Sequence, residues 1–196
     1  MDMSDGLKLM AEAHDYLRAV TRGVPEHRWG APTPCAEWTT RQVLNHACLA
    51  QLAYVHAFEG PERRVNPFDP PDAFDAPPAD ALDEAIARLN AAWASLPSDA
   101  ADAPTPFGRV PIWLAAGAPA MDAAVHAWDI ARSTAQPLPL SDDLADRIIP
   151  VAEHLVPPMR DTLRLFAPAL PSPATASPTT RLLHYLGRTP TWSPAH

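Results

Sequence analysis

Apolar residues recur at three- and four-residue intervals in four main stretches of the chain, and each predicts a helix with one inward face. Over residues 4–22 that face is Leu7, Met10, Leu17 and Val20, with Ser4 as the expected N-cap. Over 39–58 the pattern opens on Thr39-Thr40-Arg41-Gln42, a capping box in which Gln42 reaches back to the N-cap amide. Near 81–96, after Asp80, residues Leu82, Ile86, Leu89 and Trp93 point inward. A fourth helix is expected near 119–134, with Pro119 in its first turn. Leu144, Ile148, Val151 and Leu155 predict a shorter helix over 142–156, kinked or broken near Pro150, and a last one covers 179–186. No segment combines sustained alternation with β-branched residues, so strands are not supported.

The connections are long and rich in proline. VPEHRWGAPTPCAEW links the first two helices and cannot continue either of them. GPERRVNPFDPPDAFDAPPAD has no periodic pattern, and links of that length are functional lids or disordered segments. A second irregular link covers 97–118. Four main helices with two such links predict an all-α four-helix bundle with crossover connections. A chain of 196 residues suits one domain, with the bundle over about 4–157 and the tail 158–196 packing back on it, Trp192 as anchor.

Composition removes several function classes. The formal charge is −8, and the largest basic cluster is the pair Arg63–Arg64. Neither a nucleic acid nor an anionic membrane surface is therefore expected as a partner. The start MDMSDGLKLM has no basic segment followed by an apolar one, and no apolar run reaches about 18 residues. Neither a signal peptide nor a membrane span is expected. Cys35 and Cys48 form no disulfide framework and no CxxC motif, which fits the reducing cytoplasm.

The candidate chemistry sits in MDAAVHAWDIA, residues 121–131, an apolar stretch carrying Asp122, His126 and Asp129. With Ser133 these fall within about 60° of one another on a helical wheel. Such a stripe is either the solvent face of the helix or half of an inward metal site, because a carboxylate and an imidazole at i, i+4 can share a divalent ion. His46, among Leu49, Ala50 and Ala53 on its face, is the best third ligand, or else a core histidine. His14 is a weaker rival, and His56 points about 80° away from His46. His27, His154, His184 and His196 read as surface or structural. Asp129 reads first as a hydrogen bond or salt bridge to a neighbouring loop, and otherwise as an orienter of a ligand imidazole. Cys35 reads as packing or turn chemistry, with no basic neighbour in sequence to activate it. Trp29, Trp38 and Trp128 read as core.

Three segments, APTPCAEWTTRQVLNHA, VHAWDIARSTAQ and RLLHYLGRTPTW, together resemble the DinB/YfiT-like metalloprotein superfamily. Within it they are similar to the branch related to the N-terminal domain of mycothiol-dependent maleylpyruvate isomerase. The resemblance spans nearly the whole chain in the expected order. It implies an up-down-down-up four-helix bundle whose divalent metal is held by one His of the second helix and an i, i+4 pair on the fourth. Residue by residue, these positions are His46, Asp122 and His126. Relatives usually carry His or Glu where this chain has the shorter Asp122.

The resemblance implies a divalent ion (zinc, nickel or iron) and a low-molecular-weight thiol such as mycothiol as co-substrate. The expected activity is metal-dependent S-transfer or isomerisation of a small molecule. Two other readings stay open. One is a thiol-independent metalloenzyme, a hydrolase, cyclase or lyase; the other is a non-catalytic metal-binding stress protein. The isomerase has a further C-terminal domain where this chain has a short tail. The long links are expected to border the metal opening, where Phe68, Phe74, Phe107 and Trp113 suggest an apolar ligand or serve as loop anchors. A homodimer through a bundle face is possible.

Overall fold

The computed structural model describes residues 2–60 and 65–194. Arg63, Arg64 and His196, considered above, lie outside the described residues. Six helices follow in order: α1 (Met3–Arg22), α2 (Thr40–Glu59), α3 (Pro78–Ala94), α4 (Ile112–Ser133), α5 (Asp142–Asp161) and α6 (Pro178–Tyr185). A short hairpin of β1 (Asp102–Thr105) and β2 (Gly108–Pro111) precedes α4.

The helices α1 to α4 form the expected bundle. Both α1 and α2 pack against α3 and α4, while α5 lies on α4 and α1 and packs against α6. Leu9, Leu17, Leu44, Ile86, Leu89 and Ile130 are fully buried between them. Each such side chain contributes about 1.5–3 kcal/mol of burial. Gly117 lets α5 approach α4, since a Cβ there would lie 2.5 Å from Val151 Cγ2.

Local rules account for most boundaries, and the exceptions have physical reasons. The capping box is complete: Gln42 N donates to Thr39 Oγ1 at 3.3 Å and Thr39 N donates to Gln42 Oε1 at 3.0 Å. Asp2 rather than Ser4 caps α1, accepting from Asp5 N at 2.9 Å. α3 starts at Pro78, a little earlier than expected, because proline is preorganised for a first helical turn.

Pro119 lies inside α4, which begins at Ile112. Residues 112–121 are apolar on every side because that part of α4 is buried almost all round, so no periodicity marks its true start. α5 likewise runs unbroken through Pro150, Pro157 and Pro158, and buries Val156 where Leu155 was expected.

The link 97–118, expected to be irregular and without strands, contains this hairpin. Its strands are four residues each, too short to show alternation, and Gly108 at φ +108° takes up the turn.

The proline-rich link is ordered over its described part. Residues 65–77 form a strap along the N-terminal half of α2. Asn45 Nδ2 donates to the carbonyls of Pro71 (2.7 Å) and Ala73 (2.9 Å), and Arg41 pairs with Asp72 at 3.0 Å. Phe74 packs edge-on against Trp29 at 4.9 Å and under Arg41, so it is a loop anchor.

The tail packs back through buried Leu182, Leu183 and Leu186. Arg132 Nε also donates to the carbonyl of Trp192 at 3.0 Å, so this residue is tied by its backbone while its ring stays half-buried. No helix among the described residues is long and apolar enough to cross a membrane.

Candidate metal centre

The polar stripe of α4 faces inward. Ser133 and Asp129 are fully buried, and Ser133 ties α4 to Thr40 (2.5 Å) and to the carbonyl of Pro32 (2.8 Å). The solvent-face reading of the stripe is therefore set aside.

α2 brings His46 to the same place. His46 Nε2 lies 3.1 Å from Asp122 Oδ1, and His126 Nε2 lies 3.6 Å from the same oxygen. The nearest ligand atoms of His46, Asp122 and His126 all lie within 4.8 Å of one another. Both histidines are buried, and the Asp122 side chain keeps 20% of its exposure.

Each imidazole is oriented from behind. His46 Nδ1 is 2.7 Å from the carbonyl of Pro67, on the strap. A carbonyl only accepts, so Nδ1 carries the proton. His126 Nδ1 donates in the same way to Asp129 Oδ2 at 3.0 Å. Both Nε2 lone pairs are thereby turned toward Asp122, and acceptors facing acceptors need a cation between them. In the metal-free protein a proton serves: burial disfavours charge on His46, but Asp122 outweighs it and the net pKa is raised. Burial pushes the Asp122 carboxyl up, and His46 and then His126 reverse that, leaving it lowered. Asp122 Oδ2 is buried and has no hydrogen-bond partner among the described residues. Two imidazole nitrogens and a carboxylate with a spare oxygen make a donor set suited to zinc, iron or nickel.

The ligand atoms of a second group, Cys35, His126 and Asp129, also lie within 4.8 Å of one another. It already holds a cation. Arg188, just beyond α6, donates to Asp129 through Nε (2.9 Å) and Nη2 (2.8 Å), and its Nη2 lies 3.3 Å from Cys35 Sγ. Burial would raise the Asp129 carboxyl, but Arg188 holds it well below the usual range. Burial pushes the Cys35 thiol up to about 12, Asp129 adds to this, and Arg188 only partly opposes. The structure thus supplies the basic neighbour that Cys35 lacks in sequence, yet the group stays a thiol. Asp129 pairs with the tail through Arg188 and accepts a hydrogen bond from His126.

The other histidines stay outside the cluster. His14 is buried against Gln51 at 3.0 Å, and burial lowers its pKa. His56 Nε2 lies 3.9 Å from Glu59, and His154 packs on Trp113. Arg188 and the carbonyl of Pro67 were missed as site residues. Arg188 lies in the LGRTPTW segment, whose pattern marks it without saying what it meets. Trp38, expected in the core, is half-buried with its ring 4.6 Å from His46.

Fold and site define a helical-bundle protein with an inward His–Asp–His cluster between two of its helices. Residues 10–131 match the family model of the mycothiol maleylpyruvate isomerase N-terminal domain, and the chain belongs to this family. Two relatives from separate strains of Mycobacterium tuberculosis, both described as uncharacterized, are each 32% identical over 187 residues, 94% of this chain and 98% of theirs. The fold is similar to the crystal structure of a histidine-to-alanine variant of mycothiol-dependent maleylpyruvate isomerase. That match has a TM-score of 0.56 at 16% identity and covers 77% of this chain and 68% of the other. At that identity the likeness is one of fold.

Proposed function

We propose that the chain is a divalent-metal-dependent enzyme that uses a mycothiol-type thiol to transfer sulfur to, or isomerise, a small molecule. The observation that carries this reading is the convergence of two imidazole Nε2 atoms on Asp122, beside an oxygen unpartnered among the described residues. His46, Asp122 and His126 would hold the ion. The Pro67 carbonyl and Asp129 fix the tautomers that leave both Nε2 atoms free to bind it. Arg188 in turn neutralises and orients Asp129. A bound divalent ion would supply Lewis acidity and lower the pKa of a thiol or water held there. Family membership supports the thiol. The free cysteines Cys35 and Cys48 support a reducing, cytoplasmic setting.

The test is metal content of the purified protein by plasma mass spectrometry, beside His46→Ala and His126→Ala variants checked for folding. About one ion per chain, lost in both folded variants, is expected, followed by turnover that depends on added thiol. A metal-free wild type after reconstitution with zinc, nickel and iron would end the metalloenzyme reading. Turnover that ignores thiol would move it to a hydrolase, cyclase or lyase.

A further inference from the structure

We propose that Trp38 and Phe68 form the aromatic mouth of this site and select a co-substrate with a flat, apolar, unsaturated or aromatic carbon skeleton. The inference rests on the metal-centre reading and adds the class of molecule that reacts there. Trp38 lies over His46 with ring centroids 4.6 Å apart and planes tilted by 34°, and its ring is 6.4 Å from that of His126. Phe68 approaches His46 from the strap at 6.0 Å. The two rings therefore border the same imidazole, one from the end of the α1–α2 link and one from the strap.

Phe68 is 46% exposed, so much of its ring is open to a ligand beside His46. It is also held there. The preceding carbonyl, Pro67 O, accepts from His46 Nδ1 at 2.7 Å, and Phe68 N donates to Asn66 Oδ1 at 3.1 Å. The contact that orients the imidazole thus also sets the ring beside it.

Four other aromatic residues singled out from the sequence are accounted for elsewhere. Phe74 packs on Trp29, Trp113 packs on His154, Trp128 is buried, and Phe107 sits at the hairpin turn. Ligand sites commonly combine apolar and aromatic walls with a few convergent polar groups, and ring faces favour stacking on other flat π-systems. Here the polar groups are the His–Asp–His cluster, and the walls are Trp38 and Phe68.

Two small metal chelators that differ in their side group provide the test. Acetohydroxamate and benzohydroxamate are titrated calorimetrically into the zinc-loaded protein. The wild type should prefer the phenyl compound by about two- to tenfold, the range expected for one aromatic pair. Phe68→Leu and Trp38→Leu should each reduce that ratio toward one. Phe68 is half in water, so its variant reports even if Trp38→Leu fails to fold. Equal affinities in the wild type, or a preference that survives in Phe68→Leu, would overturn the proposal.

Absence of zinc binding sinks the metal reading instead. The mouth is then judged on metal-free protein labelled with 5-fluorotryptophan, the Trp38 resonance being assigned by Trp38→Phe. A fluorine shift on adding benzyl alcohol that is lost in Phe68→Leu supports the mouth, and no shift overturns it.

Discussion

Asp122 and Asp129 lie two turns apart on α4, both face inward, and both touch His126, yet they sit in opposite electrostatic situations. Asp129 is fully buried and fully compensated: Arg188 meets both of its oxygens and His126 donates to one. Asp122 faces two imidazole nitrogens whose protons are committed elsewhere, and its Oδ2 has no partner among the described residues. A buried carboxylate is stable only when a counter-charge or hydrogen bonds replace the water it lost. For Asp129 the chain carries its own cation. For Asp122 the surroundings leave that place to a proton or a metal ion. Two clusters whose ligand atoms each fall within 4.8 Å therefore differ in how their charge is compensated.

The largest expected effect breaks the compensated member. Asp129→Ala should cost about 3–5 kcal/mol of stability, because it strands the buried Arg188 guanidinium. Urea unfolding of the metal-free protein measures it, and a cost under about 1 kcal/mol would refute this account of the pair. Removing both partners in Asp129→Leu/Arg188→Met should recover most of the loss, since no uncompensated charge stays behind.

Asp122→Ala is the sharper half of the comparison. It should leave the metal-free protein within about 1 kcal/mol of wild type, because the oxygen it removes was only partly satisfied. On the proposed metal reading it should nonetheless weaken zinc binding by more than about 100-fold in competition with a chelating dye, since it would remove a ligand rather than a group behind one. Arg188→Gln falls between these, with about 10- to 100-fold weaker zinc binding, because it loosens Asp129 and through it His126. Equal zinc affinity in Asp122→Ala and wild type would show that the two aspartates do not differ as described.

Half of this arrangement was legible from sequence because it is local. The i, i+4 spacing puts Asp122 and His126 on one face, and the capping box starts α2 where His46 faces inward. What stayed hidden is long-range. Arg188 meets Asp129 across 59 residues, and a helical wheel cannot say which cation a stripe will find. The inward direction of the stripe was equally hidden, because a helix buried nearly all round has no polar face to orient it. That same all-round burial concealed the start of α4 and made Pro119 look like a first-turn residue. The hairpin was too short for periodicity, and the strap owes its order to Arg41, Asn45 and His46 rather than to any pattern of its own.

A third aspartate isolates burial from charge. Asp83 on α3 also meets arginines, Arg18 Nε at 2.6 Å and Arg22 Nη2 at 3.0 Å, but its side chain is 41% exposed. The hydrogen bond from Arg18 lowers its pKa, with the charges of Arg18 and Arg22 adding to this. Water and salt screen the pair, so Asp83→Asn should cost less than about 1 kcal/mol, a small fraction of the Asp129→Ala loss. The folded pKa is depressed, so this contribution is fully present above the unfolded value of about 3.9 and is lost as the pH falls through the folded value. The stability gap between wild type and Asp83→Asn should therefore be constant from neutrality down to about pH 5 and close below pH 4. Thermal midpoints across that range check it. A gap that widened on acidification would mean that Arg18 and Arg22 do not favour the ionised form of Asp83. A gap as large as that of Asp129→Ala would mean that burial is not what separates these carboxylates.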